Sequence, residues 1–387
     1  MLFVAALIAC ASPPWPVAER GRSEARTLAV NADGSAEFVD LGSAIAAASD
    51  GDTIEAAPGN YYGSLDFDGK SVAVVGTGGA AATWLFASPG HAAVQVREGE
   101  GMGTRLEGFT VTGGGSDDSA AVDVSFAHLT LRNVRLTGNR GSAVLYARSG
   151  HVLLDRVVVE ADNAARDGAV VEAKRGLVAV VDSALSCGRA AHGYYSDHGA
   201  AFLDGATFDC PGAVAATIFH GNGRVQRSVF DGGFHVENEN NRDEATVVEG
   251  SLFLGGVAAS TGKLELVNVV VAGHGLRASN SAVAVRNSIL TRADCAIEGA
   301  DGTEVEVRYS AFWANGNNAC GVEDPLAETG NVEAPPQFVD AGAGDYHLFP
   351  GSAAVDAGDD DDEFLDTDGT RADMGAYGGP FTLDGGW

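Results

Sequence analysis

Short stretches in which apolar residues alternate with polar or small ones recur along the chain, each closed by a large apolar residue. Aligned as apolar, any, small or polar, any, any, apolar, they read LEGFTV ending at Val111, LRNVRL at Leu136, LDRVVV at Val159, VVDSAL at Leu185 and LDGATF at Phe208. The series continues with VQRSVF at Phe230, VEGSLF at Phe253, LVNVVV at Val271, VRNSIL at Leu290 and VRYSAF at Phe312. Successive closing residues stand 25, 23, 26, 23, 22, 23, 18, 19 and 22 residues apart, about 22 on average. Serine returns in one column (Ser183, Ser228, Ser251, Ser288, Ser310), and β-branched residues, Leu or Phe fill the last one. Such a column reads as an interior stack of like side chains. Alternation at period two is strand chemistry, and no unit carries a 3.6-residue apolar pattern long enough for a helix. Turn residues punctuate the units, as in GNRGSA, DGGF, AGHG and ANGNN. A unit of about 22 residues with three short strands closes one turn of a parallel β-helix, while the Leu and Asn ladder of a leucine-rich repeat is missing. The pattern predicts an all-β, single-stranded solenoid of about 10–12 coils whose ends need caps to hide open strand edges.

Composition now acquires a cause. The 387 residues include 53 glycines, which suit a coil that must turn sharply about three times and needs positive φ at its corners. Aromatic residues are 7% and apolar residues 45%, enough for a long core and too much for wholesale disorder. The glycines have no three-residue period, which excludes collagen. A formal charge of −29, from 53 acids against 24 bases, argues against a nucleic-acid partner, since phosphate binding needs concentrated Lys and Arg.

Five cysteines are present. Cys187 and Cys210 are 23 residues apart and Cys295 and Cys320 are 25 apart, each close to one coil. Stacked positions on successive coils lie about 4.8 Å apart, inside the Cα range of a disulfide. The spacing predicts Cys187–Cys210 and Cys295–Cys320, and with them an oxidising compartment.

SAIAAASDGDTIEAAPGNYY (Ser43 to Tyr62), followed by GSLDFDGKSVAVVGTG, resembles the opening segment of pectin-lyase-like right-handed parallel β-helix proteins. In that pattern a short helix caps the barrel and an Asp-Gly turn leads into the first strands. PQFVDAGAGDYHLFPGSAAVDAGDDDDEFLDTDGTRADMGAYGGP (Pro336 to Pro380) resembles the closing segment of many secreted bacterial members. The resemblance covers roughly residues 28–380 and implies a right-handed helix with a short N-terminal capping helix and an acidic C-terminal cap. It implies no single reaction, because the family holds lyases, hydrolases, epimerases and adhesins. At the N-terminus, Met1 to Ala9 is an apolar run too short to span a bilayer. Leu7-Ile8-Ala9-Cys10 resembles the lipobox of bacterial lipoproteins, in which cleavage before the Cys leaves it as the lipidated terminus; no Lys or Arg precedes it. The chain thus divides into a lipoprotein signal at 1–10, a Pro-rich tether at 11–27 and a β-helix domain with its cap at 28–387.

Polysaccharide lyases of this fold resemble one another in a calcium-binding carboxylate set and a proton-abstracting Arg or Lys. Lys70, Lys174 and Lys263 are the only lysines, and none stands beside such a set. Gly273-His274-Gly275 resembles a hydrolase motif, but the paired Asp117-Asp118 lie about seven coils upstream, too far for acid and base to meet. The better candidates lie on the middle coils. Tyr194-Tyr195-Ser196-Asp197-His198 is followed 22 residues after His198 by His220, near Asn222, and one coil later by His235 with Glu237, Glu239, Asn241 and Arg242. Tyrosine faces stack on sugar rings while His, Asp and Asn supply hydrogen bonds, the composition of a glycan-binding groove. The expected ligand-binding set is Tyr194, Tyr195, Asp197, His198, His220, Asn222, His235 and Glu237, with Asp197, His198 and His220 as catalytic candidates. Stacked histidines beside a carboxylate also suit a transition metal or acid–base work. The competing reading is a set of solvated turns.

Charge is uneven. Residues 132–189 carry nine bases and six acids, a net of +3, the one strip open to a polyuronate; residues spread over different coil faces would instead make a plain solvated surface. At the acidic end, Asp359 to Asp362 precede Asp366, Asp368 and Asp373, carboxylates at nearly alternate positions as in calcium loops. Arg371 among them offers the alternative of an Arg–carboxylate network closing the cap. No cofactor is required by these motifs, and calcium is the ion that the acidic end suggests. Two functions follow: a lipid-anchored bacterial cell-envelope protein that binds or organises an extracellular polysaccharide without catalysis, or a polysaccharide lyase or glycoside hydrolase using the Tyr194 to His235 loops.

Overall fold

The computed structural model describes residues 25–383 except 89, 162, 240–243 and 301, and the side chains of 163–167 are likewise left aside. The Cys10 signal, most of the tether, Asn241 and Arg242 therefore lie outside the described residues.

Each coil supplies one strand to each of three parallel sheets. Sheet I runs from Thr27–Val30 through Thr53–Ala56 and Leu177–Val181 to Glu304–Arg308. Sheet II runs from Gly59–Tyr62 to Val332–Glu333, and sheet III from Leu65–Asp66 to Asn317–Cys320. Neighbouring coils pair in parallel register throughout. The result is a single-stranded right-handed parallel β-helix of about 13 turns, the hand that crossovers between parallel strands adopt. Coils beyond the ten aligned units stand at both ends: Tyr61 and Leu85 continue the closing column ahead of Val111, and Glu333 follows Phe312.

The closing column of the repeat is an interior ladder. Val111, Leu136, Val159, Leu185, Phe208, Phe230, Phe253, Val271, Leu290 and Phe312 sit in direct register from coil to coil and are buried. Phe208, Phe230 and Phe253 stack with ring centroids 5.0 Å apart, nearly parallel, because the coil spacing is also a stacking distance.

The serine column has a different reason. The chain leaves sheet I through one residue with positive φ, such as Arg156, Arg227 or Asn287, and the next backbone N–H then points away from the ladder. The following coil's serine accepts it. Ser183 Oγ accepts from Val157 N at 2.9 Å, Ser228 Oγ from Ala206 N at 3.1 Å, and Ser288 Oγ from Val269 N at 3.1 Å. Each hydroxyl donates to the carbonyl two residues earlier in its own coil, as Ser228 does to Gln226 O at 2.7 Å. Asn331 ends the column by accepting from Ser310 N at 2.9 Å.

Both disulfides form as the spacing predicts. Cys187 and Cys210 have Cα atoms 4.9 Å apart. In the second pair Cys295 is in register with Asn317, and Cys320 stands opposite Glu298, so the bond runs diagonally and the Cα separation is 6.3 Å.

The helix Leu41–Ala47 covers the first coil with Leu41, Ala44 and Ile45. Asp40 caps its N-terminus, and Lys70 Nζ donates to Ile45 O and Ala46 O, both at 2.8 Å. At the far end Pro325–Ala327 brings Pro325 and Leu326 over the last interior residues. The acidic C-terminal segment is a cap of a different kind: it folds back along the outside of sheet II. Tyr346, Ala354, Met374, Ala376 and Leu383 bury the outward side chains of Leu252, Val270, Ala272, Ile289 and Ala311. Asn268 Nδ2 donates to Asp373 O at 2.8 Å, and Asn287 Oδ1 accepts from Asp359 N at 2.7 Å.

Ser228→Ala is expected to cost about 1–3 kcal/mol, because it leaves the buried Ala206 N–H without an acceptor. Urea unfolding measures this; a loss under about 0.5 kcal/mol would show that the corner amide needs no acceptor.

Candidate functional site

Side chains at alternate positions of sheet III point outward, and the register fixes which ones meet. One outward row runs Asp123, Tyr146, Glu172, Tyr195, Thr217, His235, Ala258 and Arg277. The row beside it, toward the sheet I corner, runs Arg148, Lys174, Asp197, Phe219, Glu237 and Ser260. Tyr195, Asp197, His198, His220, His235 and Glu237 therefore gather on or beside one face. Tyr195 stacks on Phe219 at 6.3 Å and meets His192 edge-on at 5.4 Å.

Tyr194 is corrected out of the ligand set. It is one residue from Tyr195 on the same strand, so it points into the barrel, is fully buried and donates its hydroxyl to Val178 O at 3.2 Å. Asn222 is also displaced: it stands around the corner on sheet I, with its amide donating to Glu244. Glu239 is exposed just past the end of Val229–Glu237. Tyr146, Glu172, Lys174, His192 and Phe219 belong to the face but carry no local motif. Alternation applied across several coils at once is the signal that finds them.

The carboxylates of this face already have partners. Glu172 pairs with Lys174 at 2.7 Å, Asp197 with His198 Nδ1 at 2.5 Å, and Glu237 lies 4.0 Å from His235 Nε2. His235 Nε2 also contacts Ser260 Oγ at 3.1 Å, and His192 Nδ1 contacts Thr217 Oγ1 at 3.1 Å. Burial holds both imidazoles below the ordinary histidine range, against the pull of Glu237 on His235 and of Glu172 on His192. The hydrogen bond that Lys174 donates to Glu172 raises the Lys174 ammonium, and burial followed by the Asp197 charge raises the Tyr195 phenol.

At the C-terminal side of the face a shallow hollow of about 250 Å³ opens beside His235, with His274 and Arg277 on its rim. Gly255 and Gly275 in its wall pack so closely on neighbouring backbone that an added Cβ would lie 2.1 Å from the Gly232 carbonyl carbon and 2.2 Å from Cys295 O. His274 of the Gly-His-Gly motif is thus a rim residue. A second aromatic surface, absent from the sequence reading, stands on sheet II of the early coils: exposed Tyr62 stacks on Phe86 at 5.3 Å, and Phe86 neighbours Trp84 at 5.8 Å.

The basic strip does not survive as a patch. Its residues pair across coils, Arg132 with Asp155 at 2.7 Å and Arg135 with Glu160 at 2.6 Å, and they are divided among the sheets. At the acidic end the expected calcium ligands serve the backbone. Asp366 accepts from the N–H groups of Asp373 and Gly379, Asp368 from Thr370, and Asp373 from Asp356. Burial and mutual repulsion raise Asp366 and Asp373. Arg371 does not join the acids; it donates to Gly358 O at 2.5 Å, and Arg286 is the base that reaches Asp359, at 3.3 Å. Asp359, Asp360 and Asp361 do bring their oxygens within 4.8 Å of one another.

No family model matches the chain, and no curated protein matches it. Solved structures that align with it include the crystal structure of pectate lyase Pel9A, at 13% identity and a TM-score of 0.37, over 92% of this chain and 97% of that one. Another is an alginate lyase from Paenibacillus sp. str. FPU-7, at 14% identity and a TM-score of 0.25, over 76% of this chain and 98% of that one. At these scores the alignments carry no argument about activity, and the coil architecture rests on the chain's own strand register.

Burial also lowers His128 and His151, packed edge-to-face at 4.7 Å on sheet I. An unfolded chain takes up these protons near pH 6.5, the ordinary value for histidine, where the folded imidazoles still refuse them. Stability is therefore expected to fall as pH drops from about 6.5 toward the lowered folded values. His151→Leu places in that row the residue that the next coil has, Leu177, and is expected to make the fall shallower in urea titrations at several pH values. An unchanged slope would remove His151 from the account.

Proposed function

We propose that the chain is a non-catalytic glycan-binding β-helix, that its ligand lies along the outer face of sheet III, and that Cys10 holds it at the bacterial cell envelope. The observation that carries the binding reading is the pair of outward rows in which Tyr146, Tyr195 and Phe219 alternate with Glu172, Lys174, Asp197, His235 and Glu237. Aromatic rings at the strand spacing offer apolar faces to successive sugars, and the interleaved polar groups offer hydrogen bonds to their hydroxyls. The face is an open surface with a hollow at one end, suited to a chain ligand that enters from the side.

The non-catalytic choice is supported by the state of the acids. Glycoside hydrolysis needs a carboxyl held protonated beside the scissile bond. Among the described residues the carboxyls raised by burial are Asp204, Asp366 and Asp373, on sheet I and in the C-terminal segment. One observation favours the enzyme reading instead: Asp197 lies between two imidazoles, an arrangement able to move a proton.

Titration calorimetry of the full chain with uronate and neutral oligosaccharides is expected to give binding without new reducing ends or unsaturated products. Appearance of either product overturns the non-catalytic reading. Tyr195→Ala is expected to weaken binding by about 1–2 kcal/mol, roughly five- to thirtyfold, whereas Tyr62→Ala on the separate aromatic surface leaves it unchanged; the reverse result moves the site to sheet II. For the envelope reading, Cys10→Ser is expected to release the protein from the membrane fraction of expressing cells, and retention there counts against lipidation.

A further inference from the structure

We infer that Asp197, His198 and His220 form a site for a borderline transition-metal ion of the Zn²⁺, Co²⁺ or Ni²⁺ type at the corner between sheets III and I. His198 and His220 occupy the same corner position on successive coils, each with positive φ, 55° and 52°. Their N–H groups continue the ladder, His198 N to Phe219 O at 3.0 Å and His220 N to Glu237 O at 2.7 Å, so the backbone holds the two side chains one coil apart. The imidazole centroids are 4.5 Å apart. Both Nδ1 atoms turn to one carboxylate oxygen, Asp197 Oδ1, at 2.5 Å from His198 and 3.5 Å from His220.

A proton satisfies only part of this arrangement. Asp197 Oδ1 and His198 Nδ1 share one at hydrogen-bonding distance, while His220 Nδ1 is buried and makes no hydrogen bond. The His220 ring is kept in place by Phe219, whose centroid is 3.6 Å away, and its side chain is only 16% exposed. A cation between the three atoms would engage them all. They lie within 4.8 Å of one another. Ligand atoms on a tetrahedral centre with bonds of about 2.0–2.1 Å are roughly 3.3 Å apart, a closure within reach of small imidazole rotations.

The donors also select the ion. Two imidazole nitrogens and one carboxylate oxygen suit zinc, cobalt, nickel and copper, and poorly suit Ca²⁺, which takes six to eight oxygens. Lys174, opposite Asp197 in the ladder, is paired with Glu172 at 2.7 Å. Three protein ligands leave a coordination position open beside the sheet III face. The assignment does not depend on the glycan reading, because metal binding is measured with no sugar present.

Co²⁺ added to the metal-free full chain is expected to give visible d–d absorption that saturates at one equivalent and is displaced by Zn²⁺. His198→Asn and His220→Asn are the test variants, since Asn tolerates the left-handed corner; each is expected to weaken Co²⁺ affinity about tenfold or more with circular dichroism unchanged. Asp360→Asn with Asp361→Asn, in the other group of gathered acids, is expected to leave the spectrum as it was. Absence of a saturable d–d band overturns the assignment. So does a band that persists at full affinity in the His198→Asn, His220→Asn double variant, or one lost in the Asp360→Asn, Asp361→Asn variant.

Discussion

Six corners between sheets I and II depend on how one backbone amide is satisfied. A parallel coil that turns through a single left-handed residue keeps that residue's N–H in the ladder but rotates the next one out of it. At six corners the acceptor for that group comes from the adjacent coil. Ser183, Ser228, Ser251, Ser288 and Ser310 each supply one, and Asn331 does so at the last turn. Each serine also donates to its own coil, so its hydroxyl ties two coils through a single atom. This ties the corner between sheets I and II to the next coil.

Register then determines the surface. Each sheet keeps its own register: Leu185 lies over Phe208 in sheet II, and in sheet III the outward neighbours of Tyr195 are Glu172 on one side and Thr217 on the other. Residues more than 20 positions apart in sequence become contacts at strand spacing, and the surface is assembled row by row. The half-sunk histidines follow from the same geometry, because a ring between two rows is flanked by side chains about 4.8 Å away on either side.

Much of this was legible in the chain. The closing column, the serine column and the cysteine spacings are one-dimensional signals of a one-dimensional architecture, and each maps onto a ladder. The juxtaposition of His198 with His220 was readable for the same reason, since 22 residues is the coil. Tyr194 was misread because two adjacent tyrosines look alike in composition, while pleating sends them to opposite sides. Asn222 was misread because two residues past a corner is a different face. The path of the C-terminal segment was hidden for a deeper reason. Its apolar residues are sparse, without period, and matched to outward residues of sheet II such as Val270 and Ile289, which in the repeat look like ordinary strand positions.

That segment changes the kind of polymer this is. In a bare solenoid each coil senses only the coils above and below, so disorder admitted at an end can unzip inward one step at a time. Here Asn268 is joined to Asp373, 105 residues later, and Met374 and Leu383 lie in one apolar layer with Leu252 and Ala311. The coils beneath the segment share a single fastening and would open together, whereas the coils before it keep the nearest-neighbour character of a zip. One chain thereby contains a latched half and an unlatched half, and a pull applied at the N-terminus would meet the weaker mechanics first.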